Sequence, residues 1–296
     1  MTLANLYRPK DFSDVVEQEV VCRILSRQIE TNSYKHALLF AGSAGSGKTT
    51  CARIFASKID GEVFEIDCAS HNGVADVKDI VENARIPSLT NTYKVFILDE
   101  CHTFTTQAWS SLLITLEEDL PNSIFIFCTT DVQKIPNTII SRVQEFNFIP
   151  ITEDNIFNRL KFICNKENIS IDDEGLKIIA KVSEGNLRQA LTNLDKCILY
   201  NDLSNEAICR VLNIVSIDTM NNLMTAYNNS NIQEIANIIN SIYSNGYELH
   251  NFIRQFLDFS LNNTNIKLTN CILKIINDIR YDDSPKNLII ANLICS

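Results

Sequence analysis

The sequence predicts a parallel α/β domain followed by two all-helical domains, and three observations carry that expectation. Up to about Pro150, short β-rich runs alternate with amphipathic stretches. A glycine-rich turn, GSAGSGKTT, sits between the first such run and the helix after it. Beyond Pro150 strand signals fade, and apolar residues recur at helical spacing.

Taken in order, HALLFA, VFEID, KVFILDE and SIFIFCTT read as strands separated by helices, and FIPITEDN ends a further strand at Pro150. Thr152 followed by Glu153 and Asp154 marks a helix N-terminus, because acidic residues complement the positive end of the helix dipole. A boundary there gives an α/β domain over 1–150. Three helical stretches then run to about residue 213, with Gly185-Asn186 breaking the second from the third, which gives a helical domain over 151–213. Over 214–296, Met220, Leu223, Met224 and Tyr227 fall at i, i+3, i+4, i+7, as do Ile272, Ile275, Ile276 and Ile279. Leu249, Phe252, Ile253, Phe256 and Leu257 extend the same pattern, and each stripe reads as helix core.

Composition bounds the function. The chain of 296 residues is 45% hydrophobic, enough for several cores, and its formal charge of -10 excludes coating nucleic acid by bulk electrostatics. Any DNA contact is local. The longest apolar runs are strand-sized and MTLANLYRPKDF lacks a secretory apolar stretch, so the expectation is a cytoplasmic protein with no membrane span. Ten scattered cysteines without CxxC, and no histidine pair at ligand spacing, argue against a disulfide framework or a zinc site.

GSAGSGKTT fits G-x-x-x-x-G-K-[ST] at Gly42, Gly47, Lys48 and Thr49, in the strand-loop-helix setting the motif requires. Its glycines let backbone N–H groups converge on phosphate at a helix N-terminus. The cradle comprises Gly42, Ser43, Ala44, Gly45, Ser46, Gly47, Lys48, Thr49 and Thr50. Lys48 brings positive charge to the β- and γ-phosphates, and the Thr49 hydroxyl reaches Mg²⁺. A nucleotide triphosphate is the implied ligand.

Hydrolysis needs carboxylates opposite that loop, and KVFILDECH supplies Asp99 for the magnesium shell and Glu100 to polarise an attacking water. DECH is also similar to a helicase box. That reading requires a second β-containing domain with an Arg-rich motif, and nothing after residue 150 offers one.

Six segments, LYRPKDFSDVV, GSAGSGKTT, EIDCASHNGV, KVFILDECHTFTTQAWSSLLITLEE, CTTDVQKIPNTIISR and EGNLRQAL, occur in an order that resembles the clamp-loader branch of the AAA+ ATPases. Within it the bacterial DNA polymerase III gamma/tau group is the nearer match than small subunits of replication factor C. They cover residues 3 to about 195. The resemblance implies an α/β AAA+ P-loop domain, an all-helical lid domain and an all-helical collar domain that holds an oligomer.

It also implies roles for matched residues. Thr130 aligns with the polar sensor of the γ-phosphate, Arg142 with the arginine finger offered to a neighbouring subunit, and Arg188 with the second sensor on the lid. Tyr7, Pro9 and Val16 resemble the segment lining the adenine pocket, with Arg8 beside them. Ser70, His71, Asn72 and Lys78 match the segment that meets DNA, where helix N-termini offer N–H groups to backbone phosphates without reading sequence.

Departures from the family are few. Only DGE separates ASKI from VFEID, where chromosomal relatives carry a four-cysteine zinc module, so structural zinc is not expected. Val143 replaces the cysteine of SRC, and Glu17 the glycine of VVGQE. The chain as read ends after the collar, so a short form without a C-terminal tail is expected.

The function implied is an ATPase motor subunit that uses ATP and Mg²⁺ to open a ring-shaped sliding clamp and place it on primer-template DNA. Its partners would be the clamp, primer-template DNA contacted without sequence preference, and other clamp-loader subunits in a pentameric assembly. Two rivals are a non-hydrolysing structural subunit of the same assembly, opposed by the intact Gly47-Lys48-Thr49 and Asp99-Glu100, and a general AAA+ remodeller, for which no pore-loop or substrate domain is found.

Overall fold

The computed structural model describes residues 2–89, 91–118, 120, 122–279 and 285–295, with the side chains of Ile279 and Cys295 outside the description. The apolar face expected at Ile279 therefore lies outside the described residues. The chain divides into two compact units, Met1–Asn168 with Ala180–Thr192, and Ile169–Ile179 with Asn193–Ser296.

The first unit is built on five parallel strands, β1 (Ala37–Gly42), β2 (Gly61–Asp67), β3 (Tyr93–Asp99), β4 (Ser123–Thr129) and β5 (Gln144–Phe148), in the order β2-β3-β4-β1-β5. Helices cover both faces, which is why β1, β3 and β4 read as unbroken apolar runs rather than as alternation. β4 is buried at every position. β5 lies at the edge, and only Phe146 and Phe148 along it are buried.

Helices α1 (Glu19–Glu30) and α2 (Lys48–Lys58) supply one face, where Leu25, Cys51, Ala52 and Phe55 meet Leu38, Phe40 and Ile126. On the other, α3 (Val74–Arg85) and α4 (Thr106–Glu117) bring Val77, Ile80, Trp109 and Leu112 against Leu39, Phe96, Phe125 and Phe127. Phe40, Phe96, Phe125 and Phe127 are at most 1% exposed. Each such burial contributes about 1.5–3 kcal/mol relative to exposure. Parallel pairing sets Ala41 beside Thr129 and Asp67 beside Asp99, so the carboxyl ends of the strands share one edge. Ligands of parallel α/β sheets bind along such an edge.

Helix α5 (Glu153–Glu167) belongs to this unit, while α6 (Asp173–Val182) and α7 (Leu187–Tyr200) each run across the division. The break between α6 and α7 falls at the Gly185-Asn186 expected from sequence, Gly185 having a φ of +79°. A fourth helix, α8 (Asn205–Val211), follows where three were expected, capped by the Ser204 side chain accepting from Ala207 N–H.

The second unit continues with α9 (Ile217–Asn228), α10 (Ile232–Ser244), α11 (Leu249–Asn262), α12 (Ile266–Ile279) and α13 (Pro285–Cys295). Leu223, Ile239, Phe252, Phe256, Ile272, Ile275 and Ile289 form its fully buried centre, so the periodic stripes are core. No helix among the described residues is long and apolar enough to cross a membrane. The nine described cysteines are free thiols, all buried but Cys209, and no cluster of three or more metal-binding side chains occurs among the described residues.

Candidate functional site

The glycine-rich loop crosses from β1 to α2, and the residue at the helix start, Gly47, takes a φ of +104° that an L side chain resists. Lys48 begins α2 and is 6% exposed. Its ammonium donates to Gly42 O at 2.9 Å and Ser43 O at 2.8 Å, and burial pushes its pKa down. Gly42 and Ser43 thus act through their carbonyls. Ala44, Gly45, Ser46, Gly47, Lys48, Thr49 and Thr50 line a cleft of about 460 Å³, a size suited to a nucleotide.

Asp99 and Glu100 close the same cleft from the end of β3. The Thr49 hydroxyl donates to Asp99 Oδ2 at 3.0 Å, which puts two oxygen donors within reach of one hard divalent cation. The donor set fits magnesium. Glu100 sits in left-handed backbone with φ +51°, which costs a non-glycine residue roughly 1–2 kcal/mol. Thr103 holds that turn, its one hydroxyl proton shared between Glu100 O at 2.8 Å and Cys68 O at 2.7 Å. Thr130 donates from the end of β4 to Glu100 Oε2 at 2.9 Å.

Arg188, near the start of α7, lines the cleft with Leu187, Leu191 and Thr192. Asn186 sets the approach of this segment. Its Oδ1 accepts from Gln189 N–H at 2.9 Å, and a Cβ built on Gly45 would lie 1.8 Å from that same oxygen. Gly45 also has a φ of +70°. Gly45→Ala is therefore expected to weaken nucleotide binding at least tenfold, from left-handed strain of roughly 1–2 kcal/mol plus the collision. Titration with a fluorescent nucleotide checks this; unchanged affinity would contradict it.

Tyr7, Pro9 and Val16 line the cleft, with Asn5, Arg8 and Val15. This N-terminal segment is fastened to α5. Tyr7 donates its hydroxyl to Glu167, Arg159 donates to Tyr7 O at 3.2 Å, and Lys166 lies over the Tyr7 ring. Arg8 is held below the usual guanidinium pKa by burial, with the like charges of Arg53 and Arg188 adding to it.

Glu17 has a φ of +73°, so the chain keeps a backbone that favours glycine and adds a carboxylate to it. Glu17 Oε2 accepts from Asn155 Nδ2 at 2.6 Å, Thr152 Oγ1 at 2.9 Å and Thr152 N–H at 3.1 Å. Thr152 starts α5 as expected, yet its side chain caps no backbone N–H of the helix and instead donates to Glu17. The bond from Asn155, then that from the Thr152 amide, holds the Glu17 carboxyl below its ordinary pKa. A depressed folded pKa contributes stability above the unfolded value and loses it as pH falls through the folded one. The melting difference between wild type and Glu17→Gln is expected to be full at neutral pH and to fade below about pH 4. A pH-independent difference would contradict the assignment.

Arg142 does not line the cleft. Its guanidinium donates to Glu117 Oε1 at 2.9 Å and to Thr138 O at 2.8 Å, between α4 and the turn Asn137–Ile140. Ser70, His71, Asn72 and Lys78 are exposed and also lie outside the cleft. Ser70 donates to Asp67 Oδ2 at 3.1 Å, and Asn72 O accepts from Thr105 N–H at 3.2 Å, which brings together the starts of α3 and α4. Lys78 lies on α3.

Sequence reasoning passed over Asn186, Glu17 as a clasp, and His102, whose Nδ1 lies 3.3 Å from Glu100 Oε2. Asn186 and Glu17 depend on contacts across the fold that residue spacing does not encode, and so does the bond from His102 to Thr129, 27 residues on.

A family model described as "DNA polymerase III, delta subunit" matches residues 60–152, and one described as "RCF1/5-like, AAA+ ATPase lid domain" matches 158–198. The chain is 36% identical to the DNA polymerase III subunit gamma/tau of Mycoplasma genitalium, over 86% of this chain and 47% of that protein. It is 30% identical to subunit tau of Bacillus subtilis over 97% of this chain and 55% of that one, and 31% identical to subunit tau of Escherichia coli over 83% and 42%. The chain thus spans about half the length of these relatives. Among solved structures, the Thermotoga maritima RuvB Holliday junction branch migration motor superposes with a TM-score of 0.59 at 20% identity, covering 74% of this chain and 79% of that one. At that identity the likeness shows the fold.

Proposed function

The chain belongs to the DNA polymerase III gamma/tau family of AAA+ clamp loaders, and from that premise we propose that it is an ATPase motor subunit of a sliding-clamp loader. The observation that carries the reading is one cleft lined by an intact phosphate loop, by Asp99 and Glu100, and by Arg188.

The loop's N–H groups and Lys48 bind the phosphates of ATP, while Tyr7, Pro9 and Val16 hold the base. Thr49 and Asp99 would hold Mg²⁺, which would supply positive charge to the phosphates. Glu100 takes a proton from the attacking water, a task that needs hydrogen-bond reach. Thr130 and Arg188 meet the γ-phosphate from the sheet and from the lid, and so make domain arrangement depend on whether that phosphate is present. Arg142 serves the cleft of a neighbouring subunit, consistent with its place outside its own. In this reading 1–150 is the nucleotide-binding domain, 151–213 the lid and 214–296 the collar.

The partners proposed are the ring-shaped clamp, primer-template DNA met by Ser70, His71, Asn72 and Lys78 without sequence preference, and other loader subunits in a pentamer, within the cytoplasm. A structural, non-hydrolysing role is disfavoured because no residue of the phosphate loop or of Asp99-Glu100 is degraded. The test is ATP turnover with the cognate clamp and primed DNA. A motor subunit turns over faster with both present. No turnover under any condition would favour the structural role, and turnover indifferent to clamp and DNA would favour a general remodeller.

A further inference from the structure

Glu100 is held by more than Thr130. His102 Nδ1 lies 3.3 Å from Glu100 Oε2 and 3.2 Å from Thr129 Oγ1. The position of the proton follows from Thr129. Its hydroxyl donates to Asp131 O at 3.2 Å and accepts from Asp131 N–H at 3.0 Å. With its one proton committed, Thr129 offers His102 only a lone pair, and the Glu100 carboxylate oxygen, which already takes a bond from Thr130, is an acceptor. Both neighbours therefore favour a hydrogen on Nδ1, whose hydrogen bond runs to Thr129 Oγ1 while its positive edge faces Glu100 Oε2.

The imidazole is well placed to keep that geometry. It stands on the short turn Cys101–Thr103, between the fully buried Cys101 and a Thr103 anchored to Cys68 O, and its side chain is 16% exposed. Thr130 and His102 approach the same carboxylate oxygen from different parts of the chain, one from the end of β4 and one from the turn after β3. A glutamate held by a single hydrogen bond can still rotate about its last torsions. The Thr130 hydrogen bond on Oε2 and the His102 ring edge 3.3 Å from the same oxygen together restrict the carboxylate plane and leave Oε1 for the water.

We propose that His102 is a positioning residue for hydrolysis: its ring, anchored to Thr129 through Nδ1–H, stands against Glu100 Oε2 and keeps the carboxylate in the orientation that accepts the water proton. The inference rests on the ATPase reading of this cleft. His102 touches neither phosphate nor metal ligand in this role, so it acts on the chemical step and leaves ATP binding alone. A displacement of about 1 Å in a reacting group can cost on the order of 10²-fold in rate.

The test is single-turnover ATP hydrolysis by the full chain with its clamp and primed DNA, alongside ATP affinity measured separately. His102→Ala is expected to lower the rate roughly 10- to 100-fold, with affinity close to wild type. His102→Asn places an amide N–H near the position of Nδ1–H and should recover most of the rate, whereas His102→Leu, of similar bulk, should not. In a Glu100→Gln background His102→Ala should add little, because residues acting through one another are not additive. An unaffected His102→Ala, an asparagine no better than leucine, or an equal loss in both backgrounds would overturn the proposal. If His102→Ala fails to fold, the comparison of asparagine with leucine decides alone. Failure of the underlying reading looks different: Glu100→Gln would then hydrolyse ATP at the wild-type rate.

Discussion

Lys48→Ala removes ATP binding and with it all clamp loading. The Lys48 ammonium is buried in the loop and fixed by two carbonyls, so it reaches the phosphates without first being ordered. A hydrogen bond to a charged group contributes about 1.5–3 kcal/mol, roughly 10- to 150-fold in affinity. The real loss exceeds that, because Gly42 O and Ser43 O lose their donor and the cradle loses its only lysine. The sheet and its helices do not depend on this side chain, so the fold should persist, with a melting temperature lowered by a few degrees for the two carbonyls left without their donor. Calorimetric titration with ATP is the check; wild-type affinity would mean that the loop does not hold phosphate.

Arg142→Ala has the opposite signature. ATP affinity stays near wild type, and turnover stimulated by DNA and clamp falls by about 10³–10⁵, the range for an arginine finger supplied in trans. Within its own chain Arg142 is paired with Glu117 and lies outside the cleft. Mixing separates trans from cis action. Lys48→Ala subunits still offer Arg142, and Arg142→Ala subunits still bind ATP, so the two inactive proteins together should regain part of the turnover. Normal turnover in a wholly Arg142→Ala assembly would refute the role, and failed recovery in the mixture would argue for action in cis.

Much of this was legible in residue order because the chemistry demands contiguous residues. A phosphate cradle needs its glycines, lysine and threonine within one turn, and Gly42 to Thr50 show them together. The strands showed themselves as apolar runs because both faces of the sheet are covered. Helix α8 was missed for want of signal: with seven residues and only Ala207 and Ile208 buried, it has no room for a stripe. Glu17 was visible only as a missing glycine. Its partners lie 135 and 138 residues away, and nothing local announces them. In sequence His102 shows only as part of DECH, while the bond that anchors its ring reaches Thr129, 27 residues on.

In the proposed function, nucleotide occupancy of this cleft is converted into placement of a ring on DNA. The measurement that meets it most directly is transfer of a labelled cognate clamp onto primed circular DNA by the assembled loader, with ATP, with no nucleotide, and with Lys48→Ala or Glu100→Gln in place of the wild-type chain. Clamp is expected on DNA with ATP and wild-type protein, none without nucleotide or with Lys48→Ala, and a stalled loader–clamp–DNA complex with Glu100→Gln. Clamp transfer that proceeds equally without nucleotide, or with Lys48→Ala, would contradict it.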